Sequence, residues 1–234
     1  ANPAMRLGRY YRHGDDRKPE ICPLTRQEPR HFLATAQQHT PREYPLWLCA
    51  ARTGLRLGEL IALQWGDLDF HGRFIEVRHN RVRGRATTPK GHKRHRVDMS
   101  AQLAETLKAL HTVRKEETLR RGWGQVPAWV FCSETGGPLD GDNLRKRVFY
   151  KVLEQAGLRH IRIHDLRHTF ASLLLQNGES LKYIQEQLGH SSIQITMDTY
   201  GHLIPGANRG AVDRLDDATG CNPDATDNEK GATA

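Results

Sequence analysis

Two stretches of the sequence place arginine beside histidine or acidic residues in patterns suited to holding an anionic group. Residues 53–60 read TGLRLGEL and contain Arg56, and residues 164–170 read HDLRHTF and contain Arg167. Guanidinium groups are planar and donate paired hydrogen bonds to anionic oxygens. Because phosphodiester transfer develops charge on non-bridging oxygens, two such arginines could hold a phosphate without a metal ion.

Such chemistry also needs a nucleophile, and two tyrosines in the last third of the chain are candidates. Tyr200 lies ten residues after His190 of an LGH triplet and is followed by Gly-His202, whereas Tyr183 lies in the stretch SLKYI. We interpret Tyr183 as a core aromatic on a helix face. A tyrosine of pKa about 10 is a poor nucleophile at neutral pH until a neighbouring base or cation helps to remove its proton.

The segment HDLRH allows a different interpretation, a zinc site of the H-E-x-x-H type. His164 and His168 lie four residues apart and would share one helix face. However, Asp165 replaces the glutamate that acts as general base, and Arg167 would bring a cation close to Zn²⁺. A metallopeptidase is therefore disfavoured, and sensitivity to chelators would distinguish it.

Charge is distributed unevenly along the chain of 234 residues, which has 35 Lys and Arg, 27 Asp and Glu, 13 His and a formal net charge of +8. Residues 71–96 contain nine Lys or Arg against one acid, Glu76, while residues 213–234 contain six acids and two bases. A basic body of this kind usually faces a polyanion. A solvated surface locally rich in arginine would show the same pattern, so charge alone does not decide.

Local signals predict short helices around a small sheet. Helix caps are expected from the Thr25–Glu28 capping box, Ser100 and Asp140, and helix ends from glycines such as Gly54. The predicted helices cover about 25–40, 42–52, 57–64, 100–122, 140–157, 165–177, 180–188 and 192–200, and the predicted strands 73–79, 94–99 and 129–132. Gly178, Gly189 and Gly201 are expected to end the last three helices. The fold class is therefore α+β, mainly helical with a small antiparallel β-sheet at one edge.

Taken together and in this order, the motifs resemble the catalytic domain of the tyrosine recombinases, the phage integrase family. The resemblance covers about residues 24–205 and rests on five separated motifs: TGLRLGEL, PKGHKRHR, HDLRH, LGH and TYGH. It implies an enzyme that cleaves and rejoins DNA strands through a 3′-phosphotyrosyl intermediate, with no metal and no cofactor. The residues that match the catalytic positions of the family are Arg56, Lys90, His164, Arg167, His190 and Tyr200.

The resemblance also implies a role for each of these side chains. Arg56 and Arg167 would clamp the phosphate, with His190 donating to a non-bridging oxygen. His164 would be the base that removes the tyrosine proton, and Lys90 the acid that protonates the departing 5′ oxygen.

Other assignments stay open at this point. Lys90 matches the catalytic lysine that the family carries on a β-hairpin. Lys93 lies in the same loop and is the alternative candidate for this hairpin lysine. His168 is interpreted as structural or adjacent to the phosphate, and His202 as ordering the local turn. Two other functions use the same fold: a catalytically inactive DNA-binding protein and a type IB topoisomerase-like enzyme.

The same resemblance predicts the domain organisation and the partners. Residues 1–20 are expected to be a linker from an N-terminal DNA-binding domain that this sequence lacks, residues 21–210 the catalytic domain, and residues 211–234 an acidic, disordered tail. Family members act as homotetramers on paired recombination sites in double-stranded DNA. A phage, a transposon or another mobile genetic element would be the source.

Several classes of protein are disfavoured by composition. No apolar run approaches the roughly 20 residues needed to cross a bilayer, and the first residues lack the apolar segment of a secretory signal. The four cysteines are widely spaced and form no C-x-x-C pair, so a thiolate metal site is not expected. A reducing cytoplasm is the simplest compartment.

Overall fold

The first helices of the chain are bounded by prolines and a glycine. The computed structural model describes residues 21–82, 85–87, 94–203 and 212–215. Its first helices are α1 (Glu28–His39), α2 (Tyr44–Thr53) and α3 (Leu57–Leu60). Both α1 and α2 carry a proline in the first turn, where its missing N–H is not needed. Gly54 ends α2 as predicted, in the left-handed conformation with φ 62°.

The start of α1 differs from the sequence prediction. The backbone N–H of Thr25 does donate to a carboxylate oxygen of Glu28, over 2.6 Å. The helix nevertheless begins at Glu28, and its N-cap residue is Gln27, whose side chain makes no capping bond. Only one half of the expected capping box is therefore present, and the helix begins about three residues later than predicted.

A three-stranded antiparallel sheet follows, in the order β1–β2–β5. Its strands are β1 (Leu68–Asp69), β2 (Phe74–Val77) and β5 (His95–Asp98). On one face, Ile75 of β2 and Val97 of β5 are directly paired and fully buried. The two strands predicted at 73–79 and 94–99 are thus confirmed.

A second, two-stranded ribbon lies within the basic segment between β2 and β5. It pairs β3 (Asn80–Val82) with β4 (Arg85–Thr87). Residues 83–84 and 88–93 are not among the described residues, so Lys90 and Lys93, the two candidate hairpin lysines, lie outside them.

Helix α4 (Ala101–Arg121) matches its prediction at both ends. The Ser100 hydroxyl caps it by accepting from the Leu103 N–H, and Gly122 ends it with φ 65°. Leu103, Leu107 and Leu110 form its buried apolar face, whereas Val113 is 45% exposed.

The strand predicted at 129–132 is wrong, because among the described residues its pairing is limited to two isolated bridges. Trp129 forms an isolated bridge with Gln64, and Cys132 another with Pro138. A ladder requires successive paired residues, and here the chain near Gln64 turns at once into a 3₁₀ helix (Trp65–Asp67).

The helical run after Asp140 begins as predicted, with the Asp140 carboxylate accepting from the Asn143 N–H at 2.7 Å. The run consists of α5 (Gly141–Asn143), a π-helical turn (Leu144–Phe149) and α6 (Tyr150–Gln155). Phe149 of the π-helical turn packs on Trp47 of α2, with ring centroids 5.2 Å apart, in the centre of the main core.

Three short helices complete the described chain: α7 (Ile163–Gln176), α8 (Leu181–Leu188) and α9 (Ile193–Tyr200). Gly178 and Gly189 follow α7 and α8 with φ of 87° and 61°, as expected of helix ends. α9 also ends at its predicted glycine, Gly201, but this residue has φ −58° instead of the left-handed conformation, and the chain continues into a 3₁₀ helix (Gly201–Leu203).

The last three helices share a small core of their own. It consists of Ala171, Leu175, Ile184, Leu188 and Tyr200. Through this cluster the tyrosine of α9 is held against α7 and α8.

The described chain confirms the expected fold class, mainly helical with a small antiparallel sheet. None of its helices is both long and apolar enough to cross a membrane. Residues 1–20 and most of the tail lie outside the described ranges; within the tail, residues 212–215 form one helical turn. The predicted linker and disordered tail therefore stay predictions.

Candidate active site

Arg56 is fixed at the start of α3 by a buried carboxylate. Glu59, only 2% exposed, accepts one hydrogen bond from the Arg56 backbone N–H and one from its Nη1, each 2.8 Å long. The Arg56 side chain is 32% exposed, so its guanidinium is held on one side by Glu59 and open on the other. Arg56 therefore combines a fixed position with a partly exposed guanidinium.

Arg167 is buried in α7 and joins two distant segments. Its Nη1 donates to the carbonyl of Gly54 at 2.7 Å and its Nη2 donates to the carbonyl of Leu188. Burial, and secondly the nearby Arg56, lower the pKa of Arg167 to about 10, so the guanidinium stays charged at neutral pH. The two arginines therefore form a cationic pair that an anion would stabilise.

His164 and His168 lie one turn apart on α7, with their rings edge to face and centroids 4.8 Å apart. The more exposed of the two is His164; His168 is 9% exposed. Burial lowers the pKa of both rings, that of His168 to about 4, and the neighbouring arginines lower that of His164 further. Both imidazoles are thus neutral at pH 7.

Tyr200 is hydrogen-bonded to His168. Its hydroxyl lies 2.8 Å from His168 Nδ1, and the side chain is 1% exposed. Burial raises the pKa of Tyr200 to about 12, partly offset by Arg167. Because the buried phenol needs an acceptor for its proton, it donates to the neutral imidazole. In this state the hydroxyl is protonated and enclosed by protein.

His190 lies just beyond the glycine that ends α8. Its Nδ1 is 2.9 Å from the hydroxyl of Thr196, and its backbone carbonyl accepts from Gln185. Burial and the charges of Arg167 and Arg56 lower the pKa of His190 to about 4. This ring, too, is neutral at pH 7.

A cavity of about 900 Å³ opens beside these groups. Arg56 and His190 line it, together with two arginines and a histidine from the end of the basic segment, Arg94, Arg96 and His95. The His95 ring packs so closely on Gly189 that a Cβ at that glycine would lie 2.7 Å from it. The strand that leaves the hairpin is therefore in direct contact with the LGH turn.

Five of the six residues predicted from sequence lie in this one region: Arg56, His164, Arg167, His190 and Tyr200. Arg56 and His190 line the same cavity, and Arg167 donates to carbonyls two residues before each of them. His168 contacts the rings of both His164 and Tyr200. The sixth, Lys90, lies outside the described residues, as does its alternative Lys93.

Two residues of the site, Glu59 and Thr196, were not identified from the sequence. His168 was interpreted only as structural or adjacent to the phosphate, and the interpretation of Tyr183 as a core aromatic is wrong. Glu59 was detectable, because it lies three residues after Arg56, the spacing of a capping carboxylate. His168 and Thr196 bond residues 32 and six positions away, which spacing alone does not reveal. Tyr183 is not a core residue: it lines the cavity, and its hydroxyl donates to Asp98 at 2.8 Å.

The side chains of HDLRH are engaged in ways that disfavour the zinc interpretation. His168 Nδ1 is bonded to Tyr200, and both carboxylate oxygens of Asp165 accept hydrogen bonds from Arg162. Within the described ranges, no cluster of three His, Cys, Asp or Glu is placed to hold a metal ion.

Recombinases and integrases are among the solved structures that share this fold. The chain superposes on the Tn1549 transposon integrase in complex with transposon right end DNA with TM-score 0.69 and 24% identity, covering 86% of this chain and 68% of that one. It matches XerA recombinase with TM-score 0.63 and 25% identity, covering 86% and 66%. The catalytic domain of bacteriophage HP1 integrase is covered over 96% of its length, with TM-score 0.57 and 22% identity.

The chain belongs to the phage integrase family, whose model matches residues 23–205. A tyrosine recombinase XerC-like protein of Caldanaerobacter subterraneus subsp. tengcongensis is 33% identical over 190 residues, which are 74% of this chain and 48% of that protein. The ICEBs1 integrase of Bacillus subtilis is 31% identical over 218 residues, 83% and 56% of the two. The resemblance seen in the motifs is thereby confirmed. The chain spans about half the length of these relatives.

Proposed function

We propose that this chain is the catalytic part of a site-specific DNA recombinase that cuts and rejoins DNA strands through a 3′-phosphotyrosyl intermediate. The observation that carries the proposal is the convergence of Tyr200 with Arg56 and Arg167 in a member of the phage integrase family. The catalytic domain would extend over residues 21–210.

The phosphate of the scissile bond would lie against the open side of Arg56. Arg167, anchored through two carbonyls, supplies a second positive charge with little freedom to move. His190 donates to a non-bridging oxygen from the wall of the cavity. Donors held in place before the reaction stabilise the charge that develops on phosphorus without reorganising at that moment.

In the cleavage step, the Tyr200 oxygen attacks phosphorus and the bond from phosphorus to the 5′ oxygen breaks. The phenolic proton passes to a histidine of α7, and the 5′ oxygen takes a proton from the hairpin lysine, Lys90 or Lys93. His164 is the base that the motif suggests, whereas His168 is the ring already bonded to the hydroxyl. A general base must lie within hydrogen-bond distance of the proton that it removes, and this requirement favours His168.

Attack also requires the hydroxyl to come within about 3–3.5 Å of phosphorus. A side chain that is 1% exposed cannot make this contact, so the Tyr200 region must open when DNA binds. α9 also exposes three apolar side chains, Ile193, Ile195 and Met197, each more than 40% accessible. The helix is thus covered by protein on one side only.

Double-stranded DNA is the proposed partner, through the basic cavity and the basic segment 71–96. The Tn1549 integrase structure is a complex with transposon DNA, in agreement with this assignment. A homotetramer on paired sites would carry out strand exchange, and the reducing cytoplasm is the proposed compartment. The three cysteines among the described residues are free thiols, which is compatible with that compartment.

The test is covalent capture of DNA. The protein is incubated, with EDTA present, with a 5′-end-labelled pool of nicked duplexes carrying a randomised site, and adducts are separated on a denaturing gel. We expect the wild-type chain to form an adduct and Tyr200→Phe to form none. Tyr183→Phe is the matched control, since it likewise removes one phenolic hydroxyl and keeps the ring, and its adduct should persist.

Two results would contradict the proposal. An adduct formed by Tyr200→Phe would show that the nucleophile lies elsewhere. Cleavage that is lost in EDTA and restored by Zn²⁺ or Mg²⁺ would mean that a metal supplies the charge assigned here to arginine.

A further inference from the structure

His190 is held in place from three directions. Gly189 turns the chain in the left-handed conformation, and Gln185 donates to the His190 carbonyl over 3.0 Å. The third contact is to the ring itself, where Nδ1 lies 2.9 Å from the Thr196 hydroxyl oxygen. The same ring lines the cavity beside Arg56. Its orientation and its protonation state therefore both matter for what the cavity can bind.

The burial of Thr196 decides which group donates in this bond. Thr196 is fully buried, and within the described part of the chain its hydroxyl has His190 as its hydrogen-bond partner. If the imidazole donated, the hydroxyl hydrogen would be left buried without an acceptor, which is unfavourable. The hydroxyl therefore donates, and Nδ1 accepts.

A neutral imidazole carries one N–H, so an accepting Nδ1 puts the proton on Nε2. The low pKa of His190, about 4, is consistent with a neutral ring at pH 7. With Nδ1 bonded to Thr196, Nε2 is the ring nitrogen left to donate to a ligand in the cavity.

We propose that Thr196 is a positioning residue that holds His190 in the tautomer with its proton on Nε2, so that an N–H faces the phosphate. The proposal rests on the function proposed above, because the donor has a role in the reaction only when a DNA phosphate occupies the cavity. Thr196 touches no reacting atom. It acts through His190, as an outer partner of a metal-bound histidine fixes the tautomer of its ligand.

The test compares two substitutions at one position. Thr196→Val keeps the shape and removes the hydroxyl, and Thr196→Ser keeps the hydroxyl. Thr199→Val is the matched control, because the Thr199 hydroxyl, on the same helix, donates to the Ile195 carbonyl instead. The single-turnover rate of adduct formation and the affinity for DNA are measured for each.

We expect Thr196→Val to slow adduct formation by about 10-fold or more, the usual cost of losing an outer-shell partner, with DNA affinity unchanged. Thr196→Ser and Thr199→Val should stay within about threefold of wild type, as variants that keep this bond. A Thr196→Val rate equal to wild type, or a Thr196→Ser rate as low as that of Thr196→Val, would overturn the proposal.

A second readout separates this proposal from the function on which it rests. The ring ¹⁵N and ¹³C chemical shifts of His190, assigned with His190→Asn, report its tautomer in the DNA-free protein. We expect the proton on Nε2 in wild type and a mixture of tautomers in Thr196→Val. A wild-type proton on Nδ1 overturns the proposal. If wild type forms no adduct, the proposed function fails, while the spectrum still decides the tautomer.

Discussion

Tyr200→Phe removes a single oxygen from the small core of the last three helices. The structure predicts that this change lowers the free energy of unfolding as well as abolishing adduct formation. The phenol hydroxyl is bonded to His168 Nδ1 at 2.8 Å, and both residues are buried. From the sequence alone, a change that keeps the ring would be expected to leave packing almost unaffected. With the partner identified, the variant instead leaves a buried ring nitrogen without its hydrogen bond.

The magnitude follows from the nature of the bond. Leaving one buried partner unsatisfied typically costs about 1–3 kcal/mol, whereas removing both partners together costs much less. For a protein of this size, each kcal/mol corresponds to a fall of about 2–4 °C in Tm. We therefore expect a loss of about 1–3 kcal/mol for Tyr200→Phe, and coupling of about 1 kcal/mol or more with His168→Leu in a double-mutant cycle.

Urea unfolding at pH 7.5 without DNA is the appropriate assay, with the free energy of unfolding extrapolated linearly to zero urea. Tyr150→Phe is the matched control. The Tyr150 ring packs on Phe149 and His160, and among the described residues its hydroxyl makes no hydrogen bond. We expect that control to stay within about 0.5 kcal/mol of wild type.

Two results would contradict this prediction: a Tyr200→Phe variant as stable as the control, or effects of Tyr200→Phe and His168→Leu that simply add. Either result would mean that the two side chains are not bonded in the DNA-free protein. The buried tyrosine would then be held by apolar packing alone.

Two further predictions concern the LGH turn and the neutral histidines. Gly189→Ala should destabilise the protein by about 2 kcal/mol or more, because the position has φ 61° and the new Cβ would lie 2.7 Å from the His95 ring; urea unfolding that matches wild type would contradict this. His168 and His190 have pKa values lowered to about 4 by burial, from 6.5. The unfolded chain therefore binds more protons than the folded one between about pH 6.5 and 4, and stability should fall as pH falls through that window and level off above it. Urea unfolding at pH 7, 6 and 5 measures this, and equal stability at all three values would show that these rings are not buried in the neutral form.

Features that depend on a few neighbouring residues were predictable from the sequence. Ser100 and Asp140 cap their helices, and Gly54, Gly122 and Gly189 end theirs, because capping bonds and left-handed turns involve only atoms within about four residues. The paired strands followed from short runs of residues typical of strands. The order of the motifs was sufficient to indicate the family and five of the described site residues.

Contacts between distant segments were decided only by the tertiary structure. Arg167 bonds the Gly54 carbonyl 113 positions away, and His168 bonds Tyr200 32 positions away. The strand predicted at 129–132 failed for the same reason, since its pattern says nothing about whether a partner strand lies beside it. Burial also depends on how all the helices pack. The sequence identifies Tyr200 as the candidate nucleophile, but only the fold buries its side chain and so keeps its hydroxyl protonated. Such properties depend on distances between residues that are far apart in the sequence, and patterns of neighbouring residues do not determine those distances.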